Sequence, residues 1–192
     1  MARIFKPKPA LWVVVLCTLI GCGSPPAFVE PDADLDFYER VAVTPFWVSG
    51  ADRSASDQVT DAFVTALMIS EKYVVAEPGL FRHTLADVAD QASVTHRGLT
   101  PEQVLELGTR AQVEAVFEGS ILTYEMTRIG QNQYPLISVE LRMIDAQTGR
   151  LIWSMTLTRK GGPGFPFFGF GRIHTLPELA DQVVDELVER VP

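Results

Sequence analysis

Alternation of apolar and polar residues marks several stretches of the chain as strands, because a two-residue period places one face of a strand in a core. The clearest example is 136–145, in which every second residue from Ile137 to Met143 is large and apolar. The predicted strands are 40–46, 72–77, 115–126, 136–145 and 150–159.

Apolar residues spaced three and four positions apart predict helices elsewhere. The predicted helices are 57–70, 78–91, a segment that starts after Thr100, and 176–191. Thr100 is suited to cap its helix, and Gln103 completes a capping box. Thr175 is suited to cap the last helix, and Ser54 or Ser56 to cap the first.

The order of these elements is β-α-β-α-α-β-β-β-α. It predicts an α/β (α+β) fold class with a single mixed β-sheet of about five strands covered by about four helices. Short connections join the last three strands, and such connections favour antiparallel hairpins. Trp153 alternates with Ser154 on the last strand, so we expect Trp153 to face the core together with Leu151 and Met155.

The start of the chain carries a targeting pattern. Three basic residues precede an apolar run at 10–20, and a small residue comes before Cys22, which is the layout of a secretory signal. The run is shorter than the ~20 apolar residues that a permanent membrane-spanning helix needs. The tetrapeptide 19–22 (Leu-Ile-Gly-Cys) resembles the bacterial lipobox, in which the signal is cut before a diacylated cysteine. We therefore predict a lipoprotein signal peptide at 1–21 and a membrane anchor of lipid on Cys22.

The same pattern predicts how the rest of the chain is organised. Removal of 1–21 leaves 13 basic and 24 acidic residues, so the net charge changes from −8 to −11. Gly23 stands where an Asp retains lipoproteins in the inner membrane of enterobacteria-like cells, and this resemblance implies lipid anchoring in the cell outer membrane, facing the periplasm. Residues 22–38 are rich in Pro and Asp, which predicts a flexible tether behind the lipidated Cys22. The remainder, 39–192, is predicted to be a single periplasmic α/β domain.

Composition and charge exclude several classes of protein. At 47% hydrophobic residues the chain is too apolar to be disordered, and its acidic balance disfavours nucleic-acid binding, which needs a basic surface. Two cysteines, Cys17 and Cys22, are too few for a disulfide framework or a four-cysteine zinc site. The histidines lack a second ligand at a suitable spacing, and neither G-x-S-x-G nor the phosphate-binding G-x-x-x-x-G-K-[ST] occurs. We therefore predict no metal, no cofactor, no catalytic residue and no enzymatic activity.

One segment combines residues that oppose regular structure with large apolar side chains. It is 161–172, GGPGFPFFGFGR, and burial of each of its phenylalanines is worth roughly 1.5–3 kcal/mol. Three interpretations remain open: the phenylalanines fold onto their own domain, dock a protein partner or contact the bilayer. The candidate partner-binding residues are Phe165, Phe167, Phe168, Phe170 and Arg172.

Charged residues on two neighbouring strands form a weaker candidate. Glu118, Glu140 and Arg142 are expected on one face of the sheet, where paired carboxylates would support acid–base chemistry. A solvated strand face explains the same pattern more simply, so we expect these side chains to be exposed.

Four segments together resemble a known lipoprotein family. They are RVAVTPF at 40–46, KYVVAE at 72–77, GTRAQVEAVFEGSI at 108–121 and VELRMIDAQTGRLIWS at 139–154. Their order and spacing are similar to those of the family that includes the curli secretion channel component and the outer-membrane activator of a penicillin-binding protein. The amino-terminal domain of the Tol-system periplasmic propeller protein is related to it in fold. The curli channel component inserts long amphipathic hairpins into a membrane, whereas the short connections of this chain leave no surplus segments for them.

Three functions remain open at this point. The resemblance favours an outer-membrane-anchored periplasmic lipoprotein that binds another envelope protein and assists secretion, cell-wall synthesis or envelope assembly. The alternative is a subunit of a homo-oligomeric curli-type export complex. The third is an envelope enzyme whose site carries no recognisable motif.

Overall fold

The computed structural model describes residues 27–48, 53–89, 98–162 and 173–192. These residues form seven β-strands, four α-helices and a short 3-10 turn at Leu35–Phe37. The strands are β1 (Ala27–Val29), β2 (Arg40–Val43), β3 (Trp47–Val48), β4 (Val74–Val75), β5 (Ala115–Ile129), β6 (Asn132–Asp145) and β7 (Leu151–Lys160). The helices are α1 (Arg53–Ser70), α2 (Pro78–Val88), α3 (Pro101–Ala111) and α4 (Leu176–Arg190).

All seven strands belong to one mixed sheet, which confirms the predicted α/β (α+β) class. The strands lie in the order β1-β7-β6-β5-β2-β4, and β3 pairs with the later part of β5. β2 is parallel to β4 and β5, whereas β5, β6 and β7 form the expected antiparallel hairpins and β1 is antiparallel to β7. The edges of the sheet are therefore β1 and β4.

The sheet has two more strands than the sequence predicts. β1 and β3 are three and two residues long, too short for an alternating pattern to be visible. The β5–β6 hairpin also extends further than expected, to a two-residue turn at Gly130 and Gln131, where Gly130 has φ +63°. Glycine adopts this conformation without steric cost, and such a turn matches the twist of the flanking strands.

Part of the segment predicted as a flexible tether, 22–38, is held against the domain. Ala27–Val29 pairs with β7, and the Glu30 backbone N–H donates to the Ile152 carbonyl at 2.9 Å. The Glu30 carboxylate also pairs with the Arg150 guanidinium. Backbone pairing at the sheet edge therefore begins at Ala27, within the segment predicted as a tether.

The helices cover the two faces of the sheet in pairs. α1 and α4 pack on the face that carries Phe117, Leu141 and Trp153, and this is the larger apolar cluster. Trp153 is only 3% exposed and shares this cluster with Met155, as predicted. Leu151, expected beside them, packs against the cluster on the opposite face, because the β6–β7 pairing shifts register there. α2 and α3 pack on the opposite face, over a smaller cluster that includes Val116 and Ile144.

Helix starts agree with the sequence except at α1. Thr100 and Gln103 form the predicted capping box, and the Thr175 hydroxyl accepts from the Glu178 N–H at 3.4 Å. α1 begins at Arg53, so neither Ser54 nor Ser56 caps it. The Ser56 hydroxyl instead donates to the carbonyl of Phe46, where the chain leaves β2.

Candidate functional site

The residues that the sequence singles out for function lie outside the described residues. They are Cys22, Phe165, Phe167, Phe168, Phe170 and Arg172. The structure does place both ends of the phenylalanine-rich segment. Gly162 and Ile173 form an antiparallel bridge, and the Gly161 N–H donates to the Pro135 carbonyl at 2.8 Å. The segment therefore leaves and rejoins the domain beside the outer part of the β5–β6 hairpin.

A recess opens on the face of the sheet that α2 and α3 cover. It has a volume of about 30 Å³, room for about one small polar group. The described residues that line it are Thr44, Pro45, Trp47, Leu85, Gly98, Leu99, Glu118, Gly119, Ser120 and Arg142. The polar members come mainly from neighbouring positions of β5 and β6, because Glu118 pairs with Arg142 across the two strands.

Glu118 is the most unusual of these residues. It is 6% exposed, and its Oε1 accepts a hydrogen bond from the Leu99 N–H at 2.6 Å. Its Oε2 is buried without a hydrogen-bond partner among the described residues, and the nearest guanidinium nitrogen of Arg142 is 3.9 Å away. Burial raises the pKa of Glu118, and the neighbouring Glu140 carboxylate acts in the same direction. The Leu99 N–H and the Arg142 charge oppose this shift without cancelling it.

The backbone at Gly98 passes very close to the Glu118 carboxylate. Gly98 has φ +89°, and a Cβ at this position would lie 2.8 Å from Glu118 Oε2. Any other residue would therefore be strained and would collide with the carboxylate. Since Thr100, two residues on, caps α3, the Glu118–Leu99 hydrogen bond joins the start of α3 to the centre of the sheet.

The charged residues of β5 and β6 agree only partly with the prediction from the sequence. Glu118 and Arg142 share a face with Glu140, but the prediction of an exposed Glu118 is wrong. α2, α3 and the backbone from Gly98 to Thr100 cover this part of the face. One signal in the sequence is consistent with burial: Glu118 directly follows the apolar run 115–117 and directly precedes a glycine.

Exposed apolar side chains occur at both edges of the sheet. At the β1 edge, Phe28 and Val29 are each nearly half exposed. Around the β4 edge the exposed apolar residues are Met68, Ile69, Val74 and Leu80. The β5–β6 hairpin adds a third set, Leu122, Met126 and Ile129. Isolated apolar residues are common on protein surfaces, but clusters at two opposite edges mark candidate contact surfaces.

Two further features of the described residues bear on chemistry. They contain no group of three or more His, Cys, Asp or Glu side chains arranged to hold a metal ion. None of the helices within them combines the length and apolar character needed to cross a membrane.

Solved structures with the same fold come from several bacteria. A PelC dodecamer from Paraburkholderia phytofirmans is 16% identical, covers 86% of this chain and 94% of its own, and superposes with a TM-score of 0.56. The hypothetical protein CT253 from Chlamydia trachomatis is 19% identical, with 80% and 95% coverage and a TM-score of 0.57. The lipoprotein GNA1162 from Neisseria meningitidis is 17% identical, with 79% and 99% coverage and a TM-score of 0.51. At these identities the likeness establishes the fold.

The sequence itself identifies the family. Among curated proteins, none matches the chain. Residues 33–163, more than half of the chain, match the family described as curli production assembly/transport component CsgG. This stretch includes β2 to β7, the first three helices and the recess at Glu118. The chain therefore belongs to the CsgG family of curli production assembly/transport components.

Proposed function

We propose that this chain is an outer-membrane-anchored periplasmic lipoprotein that acts as a non-enzymatic binding or assembly factor for another envelope protein. The observation that carries the proposal is membership of the CsgG family over 33–163. The lipobox at 19–22 supports lipid anchoring, and the fold shared with the lipoprotein GNA1162 is consistent with it. The test of the whole proposal is crosslinking in cells, followed by identification of the captured envelope proteins.

Lipid anchoring is tested at Cys22. Cys22→Ala removes the thiol that acylation requires, so we expect an uncleaved or soluble form in place of the membrane-bound one. Fractionation and the mass of the mature chain measure this. Cys17→Ala is the matched control, because Cys17 lies within the predicted signal peptide and leaves with it. Wild-type processing and fractionation of Cys22→Ala would show that the anchor is elsewhere.

The segment 161–172 is proposed to bind the partner. Its ends are fixed by the Gly162–Ile173 bridge, and its prolines reduce the entropy lost when the segment is ordered. Phenylalanine and arginine side chains supply the aromatic and cationic contacts that often dominate interface energies. Phe165, Phe167, Phe168 and Phe170 would enter apolar pockets of the partner, and Arg172 would contact a polar rim.

The double variant Phe167→Ser/Phe168→Ser separates partner binding from core packing. We expect partner capture to weaken while the melting temperature stays within a few degrees of wild type. If the phenylalanines belong to the core, the variant loses several kcal/mol of stability instead. Leu122→Ser is the matched control, since it removes an apolar side chain that is 47% exposed on β5, which is not an edge strand of the described sheet. Unchanged melting together with unchanged capture would contradict both roles.

A homo-oligomeric, curli-type export subunit is the second candidate. Two observations favour it: a structure with the same fold is a dodecamer, and apolar side chains are exposed at both opposite edges of the sheet. Contact between the β1 edge of one copy and the β4 edge of the next would be head-to-tail, which is the arrangement that closes into rings. Multi-angle light scattering of a soluble Cys22-lacking form tests this. A stable ring disrupted by Leu80→Ser supports the export subunit, and a monomer favours the binding factor.

A further inference from the structure

Packing alone does not explain the environment of Glu118. Buried carboxylate oxygens in folded proteins almost always accept a hydrogen bond. Within the part of the chain that the structure describes, Glu118 Oε2 accepts none, although Oε1 of the same group is bonded to the Leu99 N–H at 2.6 Å. Arg142 does not supply the missing donor, because its nearest nitrogen is 3.9 Å from Oε2. One acceptor of the recess therefore lacks a donor.

The groups around this oxygen have a common chemical character. The hydroxyl residues Thr44 and Ser120 line the recess, as does Trp47, whose indole ring has an electron-rich face. Glu118, Glu140 and Arg142 lie on the same face of β5 and β6, and their formal charges sum to −1. The recess therefore combines oxygen acceptors and an aromatic ring, on a face of the sheet whose three charged groups sum to −1.

We infer that this recess binds a primary ammonium group, with Glu118 Oε2 as its principal acceptor. An ammonium carries three donors, no acceptor and one positive charge, so it can supply the hydrogen bond that Glu118 Oε2 lacks. A charge-assisted hydrogen bond to a carboxylate is stronger than a neutral one, and a nearby aromatic face adds attraction for a cation. The volume of about 30 Å³ admits one such group.

Other ligand classes fit this site less well. An anion would meet the Glu118 carboxylate, with the Glu140 carboxylate nearby on the same face of the sheet. A divalent metal ion would need several oxygen ligands around it, and the described residues contain no group of three acidic, histidine or cysteine side chains arranged for one. The ammonium is either a small free amine or the end of a lysine side chain on a protein partner. None of the described residues that line this site belongs to the predicted lipid anchor or to 161–172.

The experiment uses the full chain in detergent micelles and follows two ¹H–¹⁵N signals, the Leu99 amide and the Trp47 indole. Methylammonium chloride is the probe. Tetramethylammonium chloride at equal ionic strength is the control, because it carries the same charge but has no N–H to donate to Glu118 Oε2. We expect methylammonium to shift both signals saturably, and tetramethylammonium to produce no saturable shift. Glu118→Gln keeps the shape of the side chain and an acceptor for Leu99, and should weaken binding at least about tenfold. Glu140→Gln is the matched control on the same face and should weaken binding less than threefold.

The possible outcomes are distinct. Equal shifts in wild type and Glu118→Gln, equal effects of the two ammonium ions, or shifts that never saturate would overturn the inference. Nα-acetyl-lysine methylamide then distinguishes the two sources of the ligand. If it binds as well as methylammonium, the site accepts a lysine side chain; if only methylammonium binds, the site serves a free amine. Because these signals report only on the recess, failure here leaves membrane anchoring and partner capture untouched.

Discussion

The two faces of the sheet are each covered by two helices, yet they bury different kinds of residues. On the α1/α4 face, the strands contribute almost only apolar side chains, and Phe117, Leu141 and Leu157 are fully buried. On the α2/α3 face, the apolar cluster is smaller and is followed along β5 and β6 by Glu118 and Ser138, both buried and polar. Ser138 is hydrogen-bonded to Thr158, but Glu118 keeps one oxygen without a hydrogen-bond partner among the described residues, which points to a role other than stability.

The carboxylates Glu186 and Glu118, one on each face, also differ in how completely they are hydrogen-bonded. On the α4 side, Glu186 is bonded to both Arg159 and Arg190, with Arg159 Nε 2.7 Å from Oε2 and Arg190 Nη2 2.7 Å from Oε1. On the other face, Glu118 is buried with one oxygen unpaired and Arg142 at 3.9 Å. Both oxygens of Glu186 are therefore hydrogen-bonded to arginine, whereas Glu118 Oε2 has only a long ion pair with Arg142 and faces a recess. Four predictions test this contrast.

The largest effect is expected from the centre of the α1/α4 face. Trp153→Ala should lower the free energy of unfolding by about 3–5 kcal/mol, as aromatic truncations in cores do. Ser154→Ala, the next residue on the opposite face, should change it by less than about 0.5 kcal/mol. Denaturant titration measures both. A loss below 1 kcal/mol for Trp153→Ala would contradict its place in the core.

The α2/α3 face is tightly packed where it meets the β6–β7 turn. An alanine Cβ at Gly108 in α3 would lie 2.6 Å from the Ala146 carbonyl oxygen. Helix propensity alone favours Gly108→Ala by about 1 kcal/mol, whereas overpacking costs about 1–3 kcal/mol. We expect a net loss of stability in thermal melting. Thr109→Ala, exposed on the same helix, should be nearly neutral, and a gain from Gly108→Ala would show that α3 moves freely on the sheet.

The elements of the fold are largely predictable from the sequence, because they depend on local periodicity and caps. The long strands and the starts of α3 and α4 are clear for this reason. The 145–149 turn, part of the pattern that carries the family resemblance, is also locally coded: Asp145 Oδ1 accepts from the N–H groups of Gln147 and Thr148 at 2.7 Å each. Its Oδ2 accepts from the Tyr38 hydroxyl at 2.7 Å, so the motif stabilises a turn.

The recess is not predictable in this way, because it depends on contacts between distant residues. Gly98, Glu118 and Arg142 meet only when the segment before α3 folds over two strands of the sheet. A glutamate on an alternating strand is most simply interpreted as solvated, and no periodicity distinguishes the buried position from its exposed neighbours. The two short strands β1 and β3 are not predictable for the same reason, because each is defined by the strand it pairs with and not by a pattern in its own sequence.

The Glu186 carboxylate, which is bonded to two arginines on the α4 side, should stabilise the protein at neutral pH. Partial burial favours its neutral form, but the guanidinium groups of Arg159 and Arg190 prevail and hold the pKa of Glu186 below its ordinary value of 4.5. Its contribution is therefore present above pH 4.5 and is lost as the pH falls through the folded-state pKa. Glu186→Gln should cost about 1–2 kcal/mol at pH 7, and the deficit should shrink in acid. Glu189→Gln, exposed on the same helix, is the control; a deficit independent of pH would rule out the charge as its cause.

The smallest effect on the free energy of unfolding is expected at Glu118. Substitution there should stabilise the protein, whereas the other three substitutions should destabilise it. Burial and the Glu140 carboxylate raise the pKa of Glu118 despite the Leu99 N–H and Arg142. A raised folded-state pKa means that its favourable contribution is fully present below the unfolded value near 4.5 and is lost as the pH rises through the folded value.

Glu118→Gln removes this charge and keeps the acceptor for Leu99. Its advantage over wild type should therefore be about 1 kcal/mol at pH 8, the scale of one unpaired buried polar atom, and should vanish toward pH 4. All other titrating groups are common to the two proteins, so the difference between their unfolding free energies isolates Glu118. Glu140→Gln on the same face should show at most a weak trend. If Glu118→Gln is instead less stable than wild type at pH 8, the Glu118 charge is already stabilised in the free protein. The two faces of the sheet then do not differ in how well their buried carboxylates are paired.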